Sequence, residues 1–224
     1  MLRIAQARWL FFDMGNVLVN EEQAIQDRAE QISAAFARLG RQVSAEAVKA
    51  ALREATAEFA PRLIVRALEK LADDHEQRAR VFKETRWRGD LVEPFPEAQQ
   101  VLAALSVNYR IGVIANQSPG LPARLVKFGF APFISVCLGS GDVGLAKPDP
   151  AFFRLALERA QCEAHEAVMI GDRVDNDIRP AKALSWSTIL VRQGLWEAQQ
   201  ARGPEEEADY TVANLTEMLA LLKH

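Results

Sequence analysis

Four short apolar runs, each stopping at a polar or charged loop, constrain this chain more than any other feature. They cover residues 8–12 before Asp13, 111–115 before Asn116, 167–170 before Gly171-Asp172 and 188–191 before Arg192-Gln193-Gly194. Each is too short for a helix and most are bounded by turn formers, so each reads as a buried strand. A weaker fifth run covers 134–138. Helical patterns fall between them, at 97–105, 121–128, 150–160 and 176–184. Strands alternating with helices make βαβ units, which assemble into a parallel sheet covered on both faces. With 49% of the 224 residues apolar, the chain has the side chains to fill such a core.

One stretch breaks the alternation. From about residue 21 to 89 the chain reads as helix after helix. Ile25, Ala29, Ile32, Phe36 and Leu39 recur near a 3.6-residue period, and Gly40 follows as a C-cap. Ser44, with Ala47 and Val48 behind it, opens the next helix; Pro61 interrupts, and 63–71 continues. The expected organisation is an α/β, Rossmann-like parallel-sheet core of residues 1–20 and 90–224, with an all-helical cap of 21–89 inserted after the first strand. A peripheral helical layer is the plainer alternative, but the position directly after the first strand's loop favours a cap. Residues 204–207 read as a solvated turn before a strand-like piece at 209–212 and a closing helix at 216–222.

Composition then removes whole classes of function. A net charge of −3 over a mixed surface argues against a nucleic-acid groove, which needs a basic excess. No apolar run approaches the roughly 18 residues of a membrane helix. Residues 1–6 lack a basic region followed by a long apolar stretch, so they do not form a signal peptide, and a cytoplasmic protein is expected. Cys137 and Cys162 form no CxxC pair and read as buried thiols in a reducing compartment. His75, His165 and His224 make no HxH or HExxH pattern, which excludes a histidine-based zinc site. Trp87, Trp186 and Trp196 read as packing residues.

In open α/β sheets, ligands bind outside the carboxyl ends of the strands, where Asp13, Asn116 and Asp172 fall. Asp13 follows Trp9-Leu10-Phe11-Phe12 directly, and Asp172 follows Val168-Met169-Ile170-Gly171. A carboxylate set against a buried strand is costly unless it is paired or bound to a metal. Two of them at neighbouring strand ends make a hard, oxygen-rich pocket that suits Mg²⁺. Lys147 lies between them in sequence, within Ala146-Lys147-Pro148-Asp149-Pro150. Pro148 biases Lys147 toward an extended backbone, while Asp149 and Pro150 suit the N-cap and first position of the next helix. An ammonium held on so short a loop can neutralise an aspartate and a phosphate together.

Four segments in order at these strand ends resemble the motifs of the haloacid dehalogenase superfamily. They are Phe11-Phe12-Asp13-Met14-Gly15-Asn16-Val17-Leu18, Ile114-Ala115-Asn116, Lys147-Pro148 and Gly171-Asp172-Arg173-Val174-Asp175-Asn176-Asp177. The resemblance covers nearly the whole chain, from Arg8 to Leu222. It implies a Mg²⁺-dependent phosphatase acting on a small phosphorylated metabolite, with neither nucleic acid nor membrane as partner; the oligomeric state is left open. Asp13 would attack phosphorus and form an aspartyl-phosphate that water hydrolyses. Mg²⁺, Lys147 and backbone N–H groups would cancel the repulsion between carboxylate and phosphate. Asp13, the main-chain carbonyl of Gly15 and Asp172 would hold the metal, with Asp177 in support. Asp175 reads instead as a first-turn acid offsetting a helix dipole, and for Asp177 both readings stand.

Two departures from the family pattern matter. Its phosphatases usually carry a second aspartate two residues after the nucleophile as general acid and base, and here that residue is Gly15. The loss of such a group costs roughly 10²–10⁴-fold. The second motif usually has Ser or Thr where this chain has Ala115, so one hydroxyl contact to phosphate is lost, and Asn116, Gln117 and backbone N–H groups remain to cradle an anion. Similar Asp-x-Gly-Asn sequences occur among phosphatases of the family, so Gly15 alone does not imply inactivity. Ranked behind the phosphatase are a non-catalytic relative and then a 2-haloacid dehalogenase-like enzyme, whose cap arginine and aromatic residues cannot be placed here. Arg62 and Arg66, one turn apart, could meet an anionic group but read more simply as a solvated helix face.

Overall fold

The computed structural model describes residues 3–223; His224 and the first two residues of the 1–6 segment lie outside them. In chain order the strands and helices are β1 (Trp9–Phe12), β2 (Val19–Asn20), α1 (Glu22–Arg38), α2 (Ala45–Ala57), α3 (Leu63–Leu71), α4 (His75–Glu84), β3 (Glu93–Pro94), α5 (Ala98–Leu105), β4 (Arg110–Ala115), α6 (Leu121–Lys127), β5 (Ile134–Gly139), α7 (Ser140–Val143), α8 (Pro150–Ala160), β6 (Ala167–Gly171), α9 (Arg179–Ala183), β7 (Ser187–Val191), β8 (Tyr210–Val212) and α10 (Leu215–Leu222). No helix among the described residues is long and apolar enough to cross a membrane. The described chain divides into two compact units: an α/β unit of the residues up to Val19, Pro94–Gln193 and those from Gln200 on, and a helical unit of Asn20–Glu93 and Gly194–Gln199.

The α/β unit is built on a six-stranded sheet in the order β5-β4-β1-β6-β7-β8, with every pairing parallel. Strands β1, β4, β6 and β7 are apolar almost throughout, as strands covered on both faces must be. Phe11 packs between Trp9 and Trp186, with ring centroids 5.5 and 5.0 Å away. Gly112 is the register partner of Phe11 on β4, and a Cβ there would lie 2.4 Å from the Phe11 ring. A glycine in this strand is what lets so large a ring lie flat across it. Trp186 is fully buried in this cluster, as a packing residue should be.

The helical unit has its own core of Ile25, Ala29, Ile32, Phe36, Val48, Leu52, Leu68 and Val81. Its boundaries follow local chemistry. Gly40 takes a left-handed φ of 77°; Gly40 N–H and Arg41 N–H donate to the Ala37 and Phe36 carbonyls, the Schellman arrangement that ends α1. Ser44 accepts from Ala47 N–H and starts α2. Asp74 accepts from Glu76 and Gln77 N–H and starts α4, a helix not separately delimited from sequence. The returning segment Gly194–Gln199 also belongs to this unit, where Leu195 joins the core and Gln199 Nε2 donates to the Thr56 carbonyl at 3.3 Å.

Three readings need correction. Trp87 is 47% exposed and is not a packing residue. Cys137 and Cys162 are free but only half-buried, and that burial still pushes both thiols up to about 11. The helix expected at 176–184 starts earlier and is two elements: a single wide π turn at Val174–Ile178, then α9.

Candidate active site

β1 lies between β4 and β6, so residues just past these three strands converge at one edge of the sheet. Asp13 is the first residue beyond β1, fixed there by its N–H donating to the Ile170 carbonyl at 2.9 Å. The chain then turns tightly. The Met14 carbonyl accepts from Leu18 and Val19 N–H at 2.9 and 3.0 Å, and Asn16 N–H donates to the Val19 carbonyl at 2.7 Å. The left-handed residue of this turn is Asn16, φ 51°, a residue type that tolerates that region. Gln193 Nε2 donates to the Asn16 carbonyl at 2.7 Å and ties the turn to the end of β7.

Lys147 reaches into this edge from the segment before α8. Its Nζ lies 2.8 Å from Asp13 Oδ1 and 2.6 Å from Asp177 Oδ1, and its side chain is 2% exposed. Burial alone would lower its pKa, but the two carboxylates outweigh that and hold it above the ordinary lysine value. The Lys147–Pro148 bond is cis, and Asp149 caps α8 by accepting from Ala151 N–H at 2.8 Å. Asn116 sets the position of Lys147: its Nδ2 donates to the Lys147 carbonyl, and its Oδ1 accepts from Lys147 N–H, both at 2.8 Å.

Asp177 enters from the wide turn. Asp177 N–H and Ile178 N–H both donate to the Arg173 carbonyl, and the widened turn swings the Asp177 side chain back under the end of β6. Its Oδ2 accepts from Arg173 N–H at 3.0 Å. Gly171 makes room for it, since a Cβ there would lie 2.4 Å from Asp177 Cβ, Cγ and Oδ2. Burial pushes the Asp177 carboxyl up to about 6, with Lys147 opposing and Asp13 adding to the shift. Asp177 is therefore no surface acid offsetting a helix dipole. Asp175 lies in the first turn, where an acid offsets the dipole, and also accepts from Arg173 Nε and Nη2 at 3.1 and 2.7 Å.

Asp13, Asp172 and Asp177 bring one carboxylate oxygen each to within 4.8 Å of one another. Asp172 and Asp177 are buried, and Asp13 is partly so. Three carboxylates brought this close at a buried edge repel one another, and an opposite charge among them relieves that repulsion. A hard divalent cation fits that donor set.

The anion cradle expected from Ala115, Asn116 and Gln117 is differently engaged. Ala115 is fully buried and presents no polar side chain. The Asn116 amide is committed to Lys147. Gln117 N–H donates to Ser140 Oγ at 3.0 Å, and its side-chain carbonyl accepts from Arg124 Nε at 2.8 Å. In the helical unit, Arg66 pairs with Glu58 and Glu69 at 2.7 and 3.2 Å, which fits a solvated face better than an anion site. Sequence reasoning did not anticipate Gln193 as a brace of the Asp13 turn. It also did not anticipate Asp142, which accepts from Gly120 and Leu121 N–H at 2.7 and 3.1 Å and starts α6. The Ser-Pro-Gly stretch before α6 carries no capping side chain of its own, and that lack is the only local signal.

Comparison with known proteins agrees with this geometry. Residues 7–184 match the model of the haloacid dehalogenase-like hydrolase family. A glyceraldehyde 3-phosphate phosphatase from Methanocaldococcus jannaschii is 33% identical over 139 residues, 60% of this chain and 58% of that protein. A phosphoserine phosphatase from Thermus thermophilus is 34% identical over 163 residues, 71% of this chain and 64% of that protein. The matches thus span less than two thirds of either relative. A phosphatase structure of the same superfamily from Thermococcus onnurineus superposes with a TM-score of 0.63 at 21% identity, covering 96% of this chain and 98% of that one, which is a likeness of fold.

Proposed function

The chain belongs to the haloacid dehalogenase-like hydrolases, and on that premise we propose that it is a Mg²⁺-dependent phosphatase that dephosphorylates a small metabolite through an aspartyl-phosphate on Asp13. The observation that carries this is the Asp13 carboxylate held 2.8 Å from a buried ammonium at the edge of the sheet. Relatives named for glyceraldehyde 3-phosphate and phosphoserine support a small phosphorylated substrate.

In this reading Asp13, Asp172 and the Gly15 carbonyl hold the cation, with Asp177 in support. When bound, the cation supplies positive charge that offsets the phosphoryl oxygens. Lys147 supplies a second, permanent positive charge beside the nucleophile, which lets an anion approach an anion. One Asp13 oxygen forms a bond to phosphorus as the bond to the leaving group breaks. Water then attacks the same phosphorus, phosphate departs, and Asp13 recovers its charge. Asn116 acts on this chemistry by fixing Lys147. Substrate selection is assigned to the helical segment, which is inserted directly after the loop that carries Asp13.

Asp13→Asn tests the assignment. The variant should fold and melt as a single domain set, yet lose hydrolysis of p-nitrophenyl phosphate, and the wild type should lose it when Mg²⁺ is withheld. A folded Asp13→Asn protein with full activity would overturn the role of Asp13; wild-type activity indifferent to Mg²⁺ would overturn the metal.

A further inference from the structure

The turn after Asp13 carries the consecutive carbonyls of Met14 to Val19, and their use is uneven. The Met14 carbonyl accepts from Val17, Leu18 and Val19 N–H at 3.3, 2.9 and 3.0 Å, the Leu18 carbonyl from Phe95 N–H at 3.1 Å and the Val19 carbonyl from Asn16 N–H at 2.7 Å. The Asn16 and Val17 carbonyls both accept from one side-chain nitrogen, Gln193 Nε2, at 2.7 and 3.3 Å. Of this run, only the Gly15 carbonyl has no donor among the described residues. Its direction follows from peptide geometry. The Gly15 C=O and the Asn16 N–H belong to one planar trans unit and point opposite ways. That N–H donates to the Val19 carbonyl within the turn, so the Gly15 carbonyl faces out of it.

This arrangement has a cost. Asn16 sits at φ 51°, a left-handed conformation that costs an L-residue roughly 1–2 kcal/mol. Such a conformation keeps one shape only where its surroundings over-determine it. Gln193 supplies that constraint. The carbonyls it holds are the two directly beyond the Gly15–Asn16 peptide, so it fixes the peptide planes on the far side of Asn16 and with them the backbone rotation at that residue. Its own base is firm: Arg192 N–H donates to the Val212 carbonyl at 2.8 Å and Gln193 N–H to the Val191 carbonyl at 3.2 Å. Because β6 lies between β1 and β7, the tie from Gln193 to the Asp13 turn crosses the end of the strand that Asp172 follows.

We propose that Gln193 is a positioning residue of the cation site, and that by holding the Asn16 and Val17 carbonyls it keeps the Gly15 carbonyl free and turned outward to serve as a ligand. This rests on the Mg²⁺-dependent phosphatase reading above, in which that carbonyl joins Asp13 and Asp172. Gln193 touches none of the reacting atoms; it acts through the turn. Mg²⁺ demands near-ideal octahedral geometry, so a carbonyl whose peptide is free to rotate makes a poorer ligand than one held in place. Groups that orient the ligands of a metal typically contribute about 10–100-fold to its affinity. The loss of Gln193 therefore acts on Mg²⁺ binding, while Lys147 and Asn116, which it does not contact, keep the nucleophile's counter-charge in place.

The test compares the wild type with Gln193→Met, which keeps the length of the side chain and removes the donor. Three quantities are measured: Mg²⁺ affinity by isothermal titration, the rise in melting temperature that Mg²⁺ produces, and the Mg²⁺ concentration that half-activates hydrolysis of p-nitrophenyl phosphate. The expected result is an affinity about 10–100-fold weaker, a melting rise that needs correspondingly more Mg²⁺, and a kcat that recovers as Mg²⁺ approaches saturation. Ser44→Ala is the control for lost stability, since it removes the cap of α2 at a cost of about 1 kcal/mol and should bind Mg²⁺ as the wild type does. Equal affinity in Gln193→Met and wild type overturns the inference and leaves the phosphatase reading standing. A loss in Ser44→Ala as large as that in Gln193→Met does the same, because instability would then be the cause. A wild type that binds no Mg²⁺ overturns the metal of the phosphatase reading and the inference with it. Should Gln193→Met fail to fold, Gln193→Ala takes its place against the same outcomes.

Discussion

Gly171→Ala puts one methyl group where the site has no room for it. The added Cβ would stand 2.4 Å from three atoms of Asp177, more than 1 Å inside ordinary carbon contact distance. Asp177 cannot easily yield: it is fully buried, one of its oxygens receives the Lys147 ammonium at 2.6 Å and the other receives Arg173 N–H at 3.0 Å. If the backbone gave by a few tenths of an ångström, the cost would be that of overpacking, about 1–3 kcal/mol. If Asp177 is expelled from Lys147, the cost is that of a broken buried ion pair, about 3–5 kcal/mol. The tethering at both oxygens favours the larger figure. Urea denaturation should then show a lower midpoint at unchanged slope, and the melting temperature should fall by about 6–20 °C for a chain of this size. The double variant Gly171→Ala/Asp177→Gly isolates the clash, because removing the whole Asp177 side chain, Cβ included, leaves space for the methyl. Its loss should be smaller than the sum of the two single losses by about 1–3 kcal/mol. Additive losses, or a Gly171→Ala protein within about 0.5 kcal/mol of wild type, would refute the claim that Gly171 is there to admit Asp177.

Asn116→Ala removes both hydrogen bonds that hold the Lys147 main chain, so stability should fall by about 1–3 kcal/mol while kcat falls by about 10²-fold through misplacement of the ammonium; Asn116→Asp, which keeps the acceptor and loses the donor, should lie between, and unchanged turnover in Asn116→Ala would exclude the positioning role. Asp142 accepts two backbone N–H groups that hold its carboxyl below the usual range, so its contribution is present at neutral pH and is lost as pH falls through the folded-state pKa. Asp142→Asn should therefore melt below the wild type at pH 7 and converge with it in acid; a difference that persists in acid would show that the charge is not what stabilises the start of α6.

The strands were legible because a strand buried on both faces is a continuous apolar run, and β4, β5, β6 and β7 came out within a residue or two of their observed ends. Legibility also extended to the residues that close each strand, since a charged residue set hard against such a run has few structural reasons to be there. What could not be read was the use each polar side chain makes of its neighbours. Asn116 and Gln117 follow a strand end and looked available to an anion, yet Asn116 serves Lys147, 31 residues away. A pairing of that range leaves no trace in local pattern. The wide turn at Val174–Ile178 was hidden for a related reason. Val174-Asp175-Asn176-Asp177-Ile178 has the composition of an ordinary polar helix start, with acids suited to the positive end of a dipole. The extra residue per turn is set by tertiary demand: Lys147 needs a second carboxylate, Gly171 leaves space for one, and a turn of ordinary width offers no such swing back under β6. The glycine before Asp172 and the aspartate five residues after it are therefore one feature, and the Gly-Asp pair at a strand end is best read together with the acid that returns to fill it.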